Sequence, residues 1–293
     1  MQVYLVEEIM TQNKVNPLQK YFRQPKIYIS LPSNGSFYKT GSLEVSESGE
    51  YAVYPMTARD EIIIKTPDAL LNGEATVEVI KSCIPAIKNP WDMPAMDLDA
   101  CLIAIRIATY GETMEVSIKV PGTGEEKDFD LDLRIMLDQF TNVQYDNEVL
   151  MDNMKIKLRP LTYREFTETS RKTFEEQRIF RVLNDADISE NDKLASFNES
   201  FKKLTDLTIL TLEKSIAEIE VEGEVVSDPE FIKEFVANSE RHIFEKVTDH
   251  IEKQREQFTV KPLIVDATPE EIEKGAPETY EVPVTFDQSS FFA

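Results

Sequence analysis

The run Leu98–Tyr110 (LDACLIAIRIATY) constrains this chain more than any other part of it. Only Asp99 and Arg106 interrupt its apolar character, Asp97 stands where an N-cap is needed, and Gly111 supplies the stop. A helix apolar nearly all round has no side that can face water, so other segments must fold over it. The chain is long enough for that: its 293 residues are 41% hydrophobic, which supports a sizeable core and two domains rather than one.

The flanking segments supply the cover. Residues 1–25 have no sustained period and contain Pro17 and Pro25, which predicts an extended arm. Lys26–Leu31 reads as a strand stopped by the turn-forming Pro32-Ser33-Asn34-Gly35. The short apolar runs Val53–Met56 and Glu61–Lys65 are expected as strands or loops of a small sheet. Thr66-Pro67-Asp68 carries helix-start signals, so a helix is expected from there to Ile84, weakened at Gly73 and ended by Pro85. Residues 85–96 hold three prolines and the single tryptophan, Trp91, and predict a rigid irregular loop. Met114–Val120 and Asp128–Leu133 alternate with period two around Pro121-Gly122-Thr123-Gly124, a long-looped hairpin, followed by a helical turn or two over Arg134–Phe140.

Beyond about residue 148 the pattern turns helical. Glu148–Met151 and Lys155–Leu158 flank Asp152-Asn153 as a short hairpin, and Thr162-Tyr-Arg-Glu165 is a capping box opening a helix to about Asn184. Ser189 caps a longer helix, expected to run to about Ile219. Its stripe Leu194, Phe197, Phe201, Leu204, Leu207 widens towards the end, so its second half should be the more buried. Glu220–Val226 reads as a small β turn. A further helical stretch starts at Asp228-Pro229 and restarts near Ser239, with Ile243, Val247 and Ile251 at i+4 spacing. Pro262, Pro269, Pro277 and Pro283 forbid continuous helix afterwards and leave short extended pieces at Val260–Val265 and Tyr280–Phe286. The fold class is α+β. The expected divisions are an arm (1–25), an α+β domain (26–147), a mainly helical domain with short hairpins (148–258) and an extended C-terminal segment (259–293).

Charge narrows the function. Lys+Arg is 32 against 54 Asp+Glu, a formal −22. Such a surface repels phosphate backbones and anionic lipids, so no nucleic-acid and no membrane partner is expected. No run of about 18 apolar residues occurs, and the opening MQVYLVEEIMTQNK lacks a basic region followed by an apolar stretch. The acidity is uneven: residues 1–65 hold seven residues of each sign, and the rest carry the whole deficit. A neutral head on an acidic body suits a protein that docks by one end.

Little material for chemistry remains. Cys83 and Cys101 lie in apolar helical settings and read as buried reduced thiols. His242 and His250 lack the i, i+4 spacing of a zinc pair and read as surface residues. Asp128, Asp130 and Asp132 line one strand face, without the glycine that an EF-hand loop needs, and read as a solvated face over Phe129, Leu131 and Leu133. No phosphate-cradling or nucleophile-elbow motif occurs, so no metal, no cofactor and no catalysis are expected. The candidates concern binding. Trp91 on its proline-stiffened loop is either a partner anchor or a part of its own core. The terminal Phe286, Phe291 and Phe292 either fold back as a clasp or dock on a partner. Arg59 is the further candidate contact.

Several strings carry a resemblance: Val53-Tyr-Pro-Met-Thr-Ala-Arg-Asp-Glu61, Ile87-Lys-Asn-Pro-Trp-Asp92, Met96-Asp-Leu-Asp-Ala100, Ile103-Ala-Ile-Arg-Ile-Ala-Thr-Tyr-Gly111 and Pro283-Val-Thr-Phe-Asp-Gln-Ser-Ser-Phe-Phe292. Through them the chain resembles the baseplate hub assembly proteins of T-even-like contractile-tailed bacteriophages, linked to the central spike complex. The entry Leu158–Phe166 (LRPLTYREF) is similar to phage tail-assembly chaperones in general. The resemblance implies a non-catalytic tail protein of the virion baseplate, or of the host cytoplasm during assembly. Its implied partners are other baseplate hub or tail proteins or the tape measure protein. Some relatives carry Cys-x-x-Cys pairs near the positions of Pro121–Gly124 and before the terminal segment. Neither place has a cysteine here, so no structural zinc is expected, and the hairpin should be held by its strands and core contacts alone.

Overall fold

The computed structural model describes residues 16–66, 73–141, 143–151, 153–185, 189–283 and 291–292, with the side chains of 180–185 and 190 left aside. The architecture is α+β, assembled around two hydrophobic cores.

The first core is built on the apolar run. It forms helix α3 (Leu98–Tyr110), and every residue from Ala100 to Ala108 is buried. Gly111 ends it at φ +100°, a conformation that favours glycine, with its N–H bonded to the Ile107 carbonyl. Around α3 pack β1 (Ile27–Ser30) and β2 (Glu50–Val53), an antiparallel pair with Ile29 facing Tyr51, and helices α1 (Ala58–Ile64) and α2 (Glu74–Cys83). The predicted hairpin forms as β3 (Thr113–Lys119) and β4 (Glu126–Asp132), followed by the short helix α4 (Leu133–Asp138). Met114 and Leu131 face each other on its buried side, while Asp128, Asp130 and Asp132 are exposed.

Three readings around this core are corrected. Glu61–Lys65 belongs to a helix and not to a sheet. Thr57 and Asp60 form a capping box, with each side chain bonded to the other's backbone N–H, and that local geometry outweighs the strand preference of three consecutive isoleucines. The expected helix does not run unbroken through Gly73, which sits at φ +80° as the N-cap of α2; the part of that reading on residues 67–72 lies outside the described residues. Thr66 donates its hydroxyl back to the Ile62 carbonyl. Asp97 does occupy the N-cap position of α3, yet its carboxylate does not cap the helix; it is taken by Ser33 and Tyr38.

The second core lies under a four-stranded antiparallel sheet in the order β5-β6-β7-β8, from Glu148–Met151, Met154–Leu158, Ile216–Val221 and Glu224–Val226. Helices α5 (Tyr163–Asp185) and α6 (Glu190–Ser215) form a long antiparallel hairpin, and α7 (Pro229–Asn238) and α8 (Arg241–Gln257) complete the layer. Leu212 near the base of α6 is buried, whereas Leu194 and Phe201 in its first half are exposed, as the widening stripe predicts.

The expected end of α6 near Ile219 is also corrected: it ends at Ser215, and Ile216 begins β7. The register shift between Lys157 and Leu158 pairs Leu158 with Ile216 and Lys157 with Glu218, skipping Ala217. Both Ile216 and Ile219 thereby reach the core although three residues apart, a spacing that imitates a helix. The C-terminal part forms β9 (Leu263–Asp266) and β10 (Thr279–Val282), antiparallel, with a short capped helix α9 (Pro269–Glu273) between them that the proline-rich sequence did not announce. Tyr280, Val282, Phe291 and Phe292 all enter the first core.

Candidate interaction surfaces

Asp97 organises the first core from inside. It accepts from the Ser33 backbone N–H at 2.7 Å, the Ser33 hydroxyl at 2.6 Å and the Tyr38 hydroxyl at 2.9 Å, and it is fully buried. Burial pushes its carboxyl up to about 6, against the lowering effect of the three donors; Tyr38 is raised by burial and by facing that acid. Asp99 is likewise pushed up to about 6 by burial, with the Val260 N–H opposing. Raised acids are the ordinary mark of acid–base sites. Here both oxygens of Asp97 are occupied from within and enclosed, leaving no place for a substrate. The thiols are as inert: both are buried and unpaired, and burial, helped by Asp60, pushes Cys83 up to about 12. Among the described residues, no group of three or more His, Cys, Asp or Glu is arranged to hold a metal ion, and no helix is long and apolar enough to cross a membrane. His242 is exposed; His250 is bonded through Nε2 to the Asp146 carbonyl at 2.8 Å.

Trp91 sits on a 3-10 turn, Pro90–Asp92, which packs against α5. Its ring stacks on Tyr163 at 5.5 Å with planes 21° apart, and the Arg164 guanidinium lies 4.8 Å from its centroid on the same helix. The loop also seats the start of α5 through its backbone: the Tyr163 N–H donates to the Met93 carbonyl and the Ala95 N–H to the Leu161 carbonyl. Asp92 fixes the turn, accepting from Lys39, Ser42 and Asn89; burial opposes ionisation, but these donors hold its carboxyl below the usual range. Trp91 thus joins the first core to the helical hairpin, half-buried.

Phe291 and Phe292 fold back on α3. They are buried, their rings meet edge to face at 5.0 Å, and Tyr110 donates its hydroxyl to the Phe292 carbonyl at 3.2 Å. Beneath them Arg106 is buried, its guanidinium 4.8 Å from the Tyr110 ring and 5.7 Å from that of Phe291, and burial lowers its pKa. Phe286 lies outside the described residues. Arg59 is exposed on α1. Trp91 and the pair Phe291–Phe292 therefore have different partners, Tyr163 and Arg164 for the one and Arg106 and Tyr110 for the other.

Two features were missed in the sequence. Arg23, on the predicted arm, donates to the Pro55 carbonyl, the Ser82 carbonyl and the Ser82 hydroxyl at 2.7–2.8 Å and meets Asp60 at 3.4 Å, latching the arm onto α1 and α2. The first hairpin is held by more than its strands and core contacts. Lys127 pairs with Glu271 at 2.7 Å, Lys274 is bidentate on Glu125, and the Gly122 and Gly275 backbones touch. No local signal announces either, since the partners are distant in sequence.

A profile of the T4 bacteriophage base plate protein family matches residues 25–264, most of the chain, with the whole second core and most of the first. The chain belongs to that family. No curated protein and no solved structure gave a match. Membership gives this T4-like baseplate protein a structural or assembly role in the phage tail baseplate, in contact with other baseplate proteins. The family is a structural one.

Proposed function

We propose that this baseplate protein acts without catalysis in building the baseplate hub and central spike complex, by presenting surfaces to neighbouring tail proteins. The observation that carries the reading is where its hub-like strings fall. Val53–Glu61 runs from β2 into the capped start of α1, and Ile87–Asp92 leads into the turn that seats α5. Val53, Ile87 and Ile103 are all fully buried in the first core, so those strings specify one packed unit. Arg59, Lys88 and Tyr110 are among the parts of it that face solvent; Trp91 is half-available, and Phe291 and Phe292 would meet a partner only after release from α3. Co-expression with each tail protein followed by pull-down tests the reading. Stable capture of a hub protein is expected, and capture of none discards it.

A second reading, a chaperone that holds the tape measure protein and leaves before the virion matures, is favoured by the helical hairpin. Phe174, Leu194 and Phe201 are exposed there, and the two helices meet partly through polar contacts such as Lys203–Glu176. Mass spectrometry of purified particles separates the two. Stoichiometric peptides from 154–258 belong to a retained component, and their absence belongs to the chaperone.

A further inference from the structure

In a chain with a formal charge of −22, residues 9–43 contain five Lys or Arg and no Asp or Glu. The described part of this stretch is also unusually apolar on its surface. The one-turn helix Pro17–Tyr21 and the residues after it expose Leu18, Tyr21 (74%), Phe22 and Tyr28. Lys20 and Lys26 stand exposed among them, and neither makes an ion pair among the described residues. The turn is not loose. The Arg23 latch onto Pro55, Ser82 and Asp60 fixes the chain directly behind Tyr21 and Phe22, so the aromatics are held outward at little further entropic cost on binding.

A face of the opposite character lies on the second core. Residues 222–234, from the β7–β8 turn into α7, contain five carboxylates (Glu222, Glu224, Asp228, Glu230 and Glu234) and one lysine. All five are exposed and none is ion-paired among the described residues. Val225 and Phe231 are exposed among them. Each face therefore combines uncovered large apolar side chains with unpaired charge of one sign, and the signs are complementary.

We infer that these two faces bind each other between copies: the basic aromatic face of one chain docks on the acidic β8–α7 face of a second copy, head to tail. Charge complementarity chooses this occupant, because the matching surface is carried by the chain itself. The mutual repulsion of two acidic molecules is screened within about 8 Å at physiological ionic strength, so the local pairing of the faces governs once they touch. A head-to-tail contact closes into a ring or runs on as a filament, according to its rotation. The inference goes beyond the hub reading and does not depend on it.

Sedimentation velocity on the full chain tests it. Concentration-dependent association is expected up to about 100 μM, weakened by about tenfold or more in raised salt and in either charge-reversed variant, Lys20→Glu/Lys26→Glu or Glu224→Lys/Glu230→Lys. The decisive arm mixes the two variants. Each alone associates at least about tenfold more weakly than the wild type, while the mixture recovers the association, because both reversals meet complementary faces. Thermal unfolding by circular dichroism confirms that both variants remain folded. A monomeric wild type over that range overturns the inference, as does a mixture that fails to associate, or a wild type that stays monomeric while a different acidic tail protein takes the basic face.

Discussion

Replacing Asp97 by asparagine isolates what a buried charge does to this fold. The folded-state pKa of Asp97 is about 6, above its ordinary value of 3.8, and burial is the main cause. A carboxyl shifted in that direction contributes stability that is full below the unfolded pKa and is lost as pH rises through about 6. Between about pH 7.5 and pH 5.5 this one group therefore adds about 0.8 kcal/mol of stability as the medium is acidified. Asp99 titrates in the same range but remains in both proteins, so it cancels in the comparison. At neutral pH asparagine relieves the buried charge but offers one acceptor oxygen to three donors, and these opposing effects of about 1–3 kcal/mol each leave the absolute change small. The pH slope is the diagnostic quantity. Urea unfolding followed through Trp91, the single tryptophan, should give a wild-type midpoint that rises by about 0.3 M more than that of Asp97→Asn over this interval. The interval stays above the isoelectric point of about 4.6, where an acidic chain loses solubility. Parallel pH profiles in the two proteins would refute the assignment of a strained internal acid.

Gly122→Ala should be among the most damaging small substitutions: an added Cβ would lie 2.1 Å from the Gly275 carbonyl oxygen, at a φ of +81°. A loss of about 2–4 kcal/mol in urea titration is expected, with Gly124→Ala, whose Cβ meets nothing but whose φ is also positive at +73°, costing only the backbone strain of about 1–2 kcal/mol. Phe291→Ala removes a fully buried ring from α3 and should cost about 3–5 kcal/mol, measured the same way. Deletion of 284–293 goes further: if the terminal aromatics serve only the chain, stability falls and partner capture survives in the molecules that stay folded. Arg23→Ala should free the segment before β1, read as faster amide exchange over residues 16–30 and a stability loss of about 1–3 kcal/mol.

What was legible in the sequence was local. Helix α3 announced itself because its apolar run and Gly111 are contiguous, and the first hairpin because its alternation brackets a glycine-rich turn. Two misreadings share a cause, in that a short isoleucine-rich string fits both periods. At Ile62–Ile64 the capping box decided for helix, and at Ile216–Ile219 a bulge in the pairing with β6 decided for strand. The working polar contacts were invisible for another reason. Arg23 finds Ser82, and Asp97 finds Ser33 and Tyr38, across separations of 59 to 64 residues, where no pattern along the chain records the meeting. The binding candidates divided likewise: Phe291 and Phe292 turned out to have an internal seat, and nothing in their own sequence names Arg106 and Tyr110 as its floor.

The contact of Gly122 with Gly275 has a consequence for how this protein can change over generations. Two turns on separate hairpins meet backbone to backbone, with no side chain between them to yield. The Gly122 turn cannot acquire bulk unless the Gly275 turn withdraws, so over generations a change in the one waits on a shift in the other, while the glycines at 41, 49 and 223, with open space around them, are held in place by their left-handed backbone alone.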